Sequence, residues 1–267
     1  MISTSKPFKK LEFSDDYMFY QVMQHDDICK EVLEHLLKVR IDHIERQDVQ
    51  KELKPYYESH GVRLDAYIKD SKRIFNIEMQ QVSKKELPKR SRYYSSMIDA
   101  DSLLKGIDYT KLHESFIVFI CKKDPFGLKL PVYTFKNICQ ENKDFILKDM
   151  SYRIFFNAAA ADNEEDLEIR AFLNYIKRRK TTDNLTNKID AIVKQIKARE
   201  ENKEAYMIEH LKIRDSIMEG KRIGLKEGRR QQAVETAKKL LTDGKYTADE
   251  ISKLLKIPVE TFISSQA

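Results

Sequence analysis

The sequence predicts a mixed α/β fold, in which an α+β core is followed by a long helical C-terminal tail. Glycine and proline are scarce among the 267 residues, with 7 and 6 copies, and charged residues make up 34% of the chain. Both features favour long helices. Short segments with strand periodicity nevertheless occur in the first 160 residues. We therefore expect a core with the element order α, β, β, α, β, β.

The first predicted element is helical. Ser14 and Asp15 are suitable N-cap residues, and apolar residues recur at helical spacing over residues 18–37. This segment predicts one helix or a broken pair of helices.

Two strands are predicted next, at residues 62–69 and 73–80. Apolar residues alternate with polar ones in both segments, as in half-buried strands. The polar residues Asp70 and Ser71 lie between them and indicate a turn. Together they predict a β-hairpin.

The remaining core elements follow from changes in periodicity. Residues 85–105 have helical spacing and predict a crossover helix. Residues 115–121 (SFIVFIC) form a continuous apolar run, typical of a strand buried on both faces, and residues 152–158 (YRIFFNA) predict a further strand. Residues 164–179 return to helical spacing.

These patterns predict three regions: a core over residues 1–180, a long basic helical tail over 181–241, and a small helix-turn-helix-like unit over 242–267. The last unit opens with a capping box formed by Thr247 and Glu250. In the tail, Gly220, Gly224 and Gly228 share one helix face. They indicate either a flexible break between two helices or a packed helix pair in a homodimer.

The composition limits the classes of function that the chain can have. The net charge of +6 is compatible with a polyanionic partner such as DNA. The three cysteines are odd in number and lie in apolar segments, so we expect reduced thiols rather than disulfides or zinc. No signal peptide or membrane span is apparent, and the expected location is the cytoplasm, away from the membrane. The sequence lacks a phosphate-binding glycine loop, so no nucleotide cofactor is expected.

The hairpin carries the candidate site. Asp65, Glu78 and Gln80 fall on its polar face, and Asp65 lies opposite either Asn76 or Glu78, depending on the register. Two neighbouring carboxylates repel each other unless a cation joins them. Hard cations prefer oxygen ligands, so Asp65, Glu78 and the carbonyl of Met79 predict a site for Mg2+ or Mn2+.

Several segments together resemble one known family. They are DDYMFYQVM, ICKEVLEHLL, GVRLDAYIKD, IFNIEMQ, LPKRSRYYSSMIDADSLLKGIDY, SFIVFICKKDPFG and YTFKNIC. They look like the PD-(D/E)XK nuclease family transposases, relatives of the recombination-promoting nucleases called Rpn proteins. The resemblance covers about residues 8–180.

The resemblance implies a restriction-endonuclease-like fold and a metal-dependent DNA endonuclease, linked to DNA recombination or to a mobile element. Asp65 and Glu78 match the metal-binding acids of the family motif. Gln80 stands in the place of its usual lysine and offers hydrogen bonds rather than a positive charge. An acid of the first helix often assists in this superfamily, and Glu31 and Glu34 are equal candidates.

Other interpretations remain open. Lys84, Lys85, Lys89, Arg90 and Arg92 could contact DNA phosphates, or they could form a solvated surface. A catalytically decayed DNA-binding or oligomeric assembly protein is the main alternative to an enzyme. A transposase with a three-acid site, formed by Asp65, Asp108 and Glu141, is the weakest alternative.

Overall fold

The computed structural model describes residues 6–41, 43–48, 52–53, 62–82, 85–103 and 105–263. The α-helices of these residues are α1 (Asp16–Met23), α2 (Asp26–Leu37), α3 (Leu87–Ser102), α4 (Leu167–Arg178), α5 (Asn184–Ala198), α6 (Glu200–Thr242) and α7 (Ala248–Leu255). The strands are β1 (Glu45–Asp48), β2 (Glu52–Leu53), β3 (Val62–Arg63), β4 (Ala66–Lys69), β5 (Arg73–Gln80), β6 (Glu114–Cys121), β7 (Val132–Phe135) and β8 (Ser151–Asn157).

A mixed sheet forms the centre of the N-terminal part. It has six strands in the order β1-β4-β5-β6-β8-β7, and β2 pairs separately with β3. The three central strands β5, β6 and β8 are parallel, whereas β1, β4 and β7 run antiparallel to their neighbours. The predicted α/β class is confirmed. Strands β1, β2 and β7 were not predicted, because they are too short to carry a clear alternation.

The predicted hairpin forms from β4 and β5, with Tyr67 opposite Asn76. This is the second of the two registers considered, and continuing it places Asp65 opposite Glu78. The strand expected at residues 62–69 is interrupted: β3 ends at Arg63, and β4 begins at Ala66. Asp65 therefore lies in this break, directly before β4, and not within a continuous strand.

Helix α3 connects two parallel strands, β5 and β6, as a crossover must. It packs on one face of the sheet through Leu87, Tyr94, Met97 and Ile98, which join one buried cluster with Phe119 and Phe155. The predicted broken pair of helices is present as α1 and α2.

Helix α5 belongs with the N-terminal helices, although the sequence analysis placed it at the start of the tail. It contacts α1, α2 and α4 and buries Leu185, Ile189, Val193 and Ile196. Its N-terminus is fixed by a capping box between Asp183 and Thr186. One compact unit accordingly extends to Lys203, and a second begins at Glu204.

The second unit contains most of α6, which continues without interruption past Gly220, Gly224 and Gly228. The interpretation of these glycines as a flexible break is therefore wrong. The predicted capping box of Thr247 and Glu250 is present at the start of α7. Between Pro258 and residue 263, where the described residues end, the chain forms a short 3-10 helix, Val259–Thr261, instead of a second α-helix.

A small apolar cluster stabilises the end of this second unit. Ala237, Ile251 and Phe262 are buried together, so α7 and the segment after it pack on the last turns of α6. No helix in the described part of the chain is long and apolar enough to span a bilayer.

The hairpin turn depends on Asp70. Its carboxylate accepts hydrogen bonds from the backbone N–H groups of Lys72 (2.9 Å) and Arg73 (2.7 Å) and from Nε of Arg73 (2.8 Å). Burial alone would raise the pKa of Asp70, but these hydrogen bonds and the charge of Arg73 hold it below 3.8.

We expect Asp70→Ala to lower the free energy of unfolding at neutral pH by about 1.5–3 kcal/mol, the usual contribution of hydrogen bonds to a charged group. Because the pKa of Asp70 is lower in the folded chain, the difference between variant and wild type should shrink as the pH falls below 3.8. Urea unfolding across the acid range measures this. The exposed Asp144 provides the control: an equal loss in Asp144→Ala, or a loss that is constant with pH, would contradict the assignment.

Candidate active site

Asp65 and Glu78 are neighbours at the open end of the hairpin. The backbone N–H of Asp65 donates to Oε1 of Glu78 at 3.1 Å, and the N–H of Met79 donates to Oδ2 of Asp65 at 3.2 Å. The backbone of each strand therefore holds the carboxylate of the other. The structure brings these two predicted site residues together.

The polar face of β5 is not exposed to solvent, contrary to the sequence analysis. Asn76, Glu78 and Gln80 are 0%, 0% and 6% exposed, because α3 covers this face of the sheet. The expectation of a half-buried strand is therefore wrong for β5. Alternation located the polar side chains correctly but could not indicate that a helix lies over them.

Arg90 of α3 is the main partner of the buried acid. Its Nη2 donates to Oε2 of Glu78 at 2.8 Å, its Nη1 to Oε1 of Gln80 at 3.1 Å, and its Nε to the hydroxyl of Tyr94 at 2.6 Å. The guanidinium also lies over the rings of Tyr94 and Phe119. Among the five basic residues predicted to contact DNA phosphates or to form a solvated surface, Arg90 is 27% exposed and faces the site.

The electrostatics of Glu78 explain this pairing. Burial, and after it the neighbouring negative charge of Asp65, raise the pKa of Glu78, whereas the positive charge of Arg90 lowers it. A third hydrogen bond, from Nδ2 of Asn76 to Oε1 at 3.2 Å, also favours the charged form. A buried carboxylate beside another carboxylate requires a nearby cation.

A cavity of about 260 Å³ opens beside these residues and is lined by Asp16, Asp65, Met79, Gln80, Gln81, Val82 and Arg90. Gln80 is held in place by a bond from its Nε2 to the carbonyl of Val82 at 2.8 Å. Glu78 lies behind Arg90 and is fully buried. Asp65 and the amide of Gln80 thus form the near wall of the cavity.

Asp16 is an acid that the sequence analysis did not select. It is the first residue of α1, and Gln81 draws it to the cavity, because Nε2 of Gln81 donates to Oδ1 of Asp15 at 2.8 Å. Asp15 thereby ties α1 to the end of β5 instead of capping its own helix. The adjacent acids of the segment DDYMFYQVM were the available signal.

The alternative acids lie elsewhere. Glu31 pairs with Lys188 at 2.8 Å, and Glu34 accepts from the backbone N–H of Ile41 at 2.8 Å, so neither lines this cavity. Asp108 and Glu141, proposed for a three-acid site, bond to Thr110 and Cys139. The structure therefore does not bring the three-acid set together.

The residues at the cavity are suited to a hard divalent cation. Asp16 and Asp65 place carboxylates at the cavity, and Glu78 lies behind them, hydrogen-bonded to the backbone of Asp65. Carboxylate oxygens are ligands that Mg2+ and Mn2+ prefer. Over the described ranges, no three His, Cys, Asp or Glu side chains are already grouped as ligands. The guanidinium of Arg90 takes up the charge of Glu78 in this arrangement.

A family model described as PD-(D/E)XK nuclease family transposase matches residues 14–250. The chain belongs to this family. No curated protein and no solved structure matches the chain. The family assignment confirms the resemblance of the sequence segments and extends it through α6 into α7. Gln80 itself carries no charge, and the nearest cation that the structure shows beside it is Arg90, whose Nη1 lies 3.1 Å from its Oε1.

In this PD-(D/E)XK protein, we expect Arg90→Ala to lower the free energy of unfolding by about 3 kcal/mol. This is the low end of the range for a broken buried pair, because Glu78 can take up a proton once its partner is removed. Urea unfolding at neutral pH measures the change. Arg92→Ala on the exposed side of α3 is the control, with an expected change of about 0.5 kcal/mol or less.

A double-mutant cycle identifies the cause of the loss. In a Glu78→Gln background the buried charge is absent, so Arg90→Ala should be clearly less destabilising than in the wild type. Equal losses in both backgrounds would show that Arg90 acts through packing on Tyr94 and Phe119 rather than through Glu78.

Proposed function

We propose that this chain is a divalent-metal-dependent DNA endonuclease that hydrolyses phosphodiester bonds. The observation that carries the proposal is the adjacency of Asp65 and Glu78. Each carboxylate accepts a hydrogen bond from the backbone beside the other, next to a cavity that Asp16 and Asp65 line. The family supports a nuclease with DNA as its substrate.

Asp65, Glu78 and the carbonyl of Met79 would hold Mg2+ or Mn2+, with Asp16 as a further oxygen donor. A bound divalent cation lowers the pKa of a water ligand and stabilises charge on a phosphodiester during hydrolysis. Gln80 would orient the attacking water or the phosphate through its amide, which donates and accepts hydrogen bonds.

Arg90 would supply the positive charge that Gln80 lacks. It lies 3.1 Å from Gln80, through Nη1 and Oε1, and lines the cavity. Once another cation neutralises Glu78, the guanidinium is free to face a phosphate, which it can bind through two parallel hydrogen bonds. Charge stabilisation of this kind is a large contribution to phosphoryl chemistry.

DNA would approach along the N-terminal half of α3. Lys89 and Arg92 are exposed on this helix, and Lys85 is exposed just before it. Such side chains bind phosphates without reading sequence, and the affinity should fall as salt rises. Lys84 lies outside the described residues. A role in DNA recombination or in a mobile element follows from the family name alone and stays a hypothesis.

One observation favours the second candidate, a DNA-binding or assembly protein without catalytic activity. Arg90 pairs with the buried Glu78 at 2.8 Å, so a residue of the chain itself balances the charge of this acid. Such a protein would bind DNA through the basic face of α3 and leave the strands uncut.

The first experiment is cleavage of supercoiled plasmid in Mg2+ and in Mn2+. We expect the wild type to nick or linearise the plasmid, and Asp65→Asn and Glu78→Gln to reduce the rate by at least about 100-fold, since even residues that only support metal ligands contribute 10–100-fold. These substitutions keep the shape of each side chain and remove its charge.

Glu31→Gln is the matched control, because this first-helix acid lies outside the cavity and pairs with Lys188. It should cut at the wild-type rate. Cutting that persists in Asp65→Asn would indicate a contaminant or a different site. If no form cuts but all bind DNA with the same salt dependence, the non-catalytic binding protein is the correct function.

A further inference from the structure

The middle of α6 is a helix without covering neighbours in the described chain. Every residue from Leu211 to Gln232 is exposed, including Ile213 (46% exposed) and Ile217 (63%). In proteins most of the stability of a helix comes from packing one of its faces against a neighbour. Gly220, Gly224 and Gly228 lower helix stability further, by about 1 kcal/mol each relative to alanine. The segment would therefore gain stability from a partner packed along one of its faces.

The glycines share their helix face with the two isoleucines. Ile213, Ile217, Gly220, Gly224 and Gly228 follow one another at intervals of three or four residues, so they form one continuous row. A Cβ atom added at any of the three glycines would meet nothing within 4 Å. No contact with the described residues requires glycine at these three positions. The first half of the row carries the two large isoleucine side chains, and the second half consists of the three glycines, which have no side chain.

Charge is distributed with the same asymmetry. From Glu204 to Glu219 the carboxylates outnumber the cations, and from Gly220 to Gln232 the cations predominate. The charged residues of the first half are Glu204, Glu209, Lys212, Arg214, Asp215 and Glu219; those of the second half are Lys221, Arg222, Lys226, Glu227, Arg229 and Arg230. The acidic half is the one that carries the isoleucines.

We propose that two copies of this chain associate through antiparallel α6 helices that cross beside Gly220. In this arrangement Ile217 of one copy lies next to Gly224 of the other, and Ile213 lies next to Gly228. Large side chains then fill the space left by glycines, which is how helices pack closely. The acidic half of each helix also lies along the basic half of the other.

A parallel pair would have neither advantage. It would set isoleucine against isoleucine and glycine against glycine, and it would align each charged half with its own like charges. In the antiparallel pair, Glu209 of one copy lies on the same flank as Arg230 of the other, and Lys212 on the same flank as Glu227. Both size and charge therefore favour the antiparallel orientation.

The pairing is independent of the proposed cleavage, because it involves only residues of the second compact unit. Its consequence for the protein is that every assembly contains two copies of the candidate active site. An endonuclease that cuts both strands of DNA generally requires two such sites.

The test is the oligomeric state of the full chain, measured by size-exclusion chromatography with light scattering over a range of concentrations. We expect a concentration-dependent dimer for the wild type. Gly224→Leu should weaken dimerisation by at least about tenfold, because overpacking typically costs 1–3 kcal/mol. The same substitution should not reduce helix content in the dissociated chain, since leucine is the better helix former.

Lys226→Leu is the control of matching size on the opposite face of α6, and it should leave the dimer unchanged. Orientation is tested by charge reversal: Glu209→Lys should weaken the dimer, and Glu209→Lys combined with Arg230→Glu should restore it. A wild type that stays monomeric throughout, a Gly224→Leu chain that dimerises normally, or a double reversal without recovery would each overturn the proposal.

Discussion

The buried charge of Glu78 is the constraint on which the candidate site depends. A carboxylate on the central strand β5, under a helix and beside a second carboxylate, is stable only if a positive charge reaches it. Arg90 meets that need from α3, with one guanidinium nitrogen 2.8 Å from Oε2. The position of α3 over the sheet is thus coupled to the chemistry of the hairpin. Tyr94, which accepts from Arg90 and packs in the core, links the two.

The sequence located the acids but not their surroundings. Alternation in the hairpin placed Asp65, Glu78 and Gln80 on one face, and both possible registers kept them together. Arg90 was visible only as one of several basic residues, because nothing in its spacing indicates that α3 turns it toward β5. The same helix buries the face that alternation alone describes as polar. A local sequence pattern cannot predict which side chains a distant segment of the chain will cover.

Asp16 illustrates the same limit in another form. Its place at the cavity results from the hydrogen bond between Gln81 and Asp15, a contact between residues 66 positions apart in the sequence. Helix propensity predicted α1, but it could not determine which strand its N-terminus meets. Glu31 and Glu34 were equally reasonable acids on sequence grounds, and both are engaged in contacts away from the cavity.

In the C-terminal part too, features set by neighbouring residues were predictable from the sequence, and features set by distant contacts were not. The capping box at Thr247 was predictable because all of its atoms belong to four consecutive residues. The assignment of α5 was less accessible, since its polar surface resembles that of the tail, and only its contacts with α1, α2 and α4 place it in the first unit. The glycines of α6 gave a clear spacing but no indication that the helix continues through them.

Competition between Arg90 and a divalent cation for Glu78 is the centre of this account, and Mn2+ binding tests it most directly. Calorimetric titration of Mn2+ into the wild type and into Arg90→Gln should be carried out at a temperature where both are folded. The account predicts tighter Mn2+ binding by Arg90→Gln, because the competing guanidinium has been removed, and no binding by Glu78→Gln. Weaker binding by Arg90→Gln, or equal binding by all three forms, would contradict it.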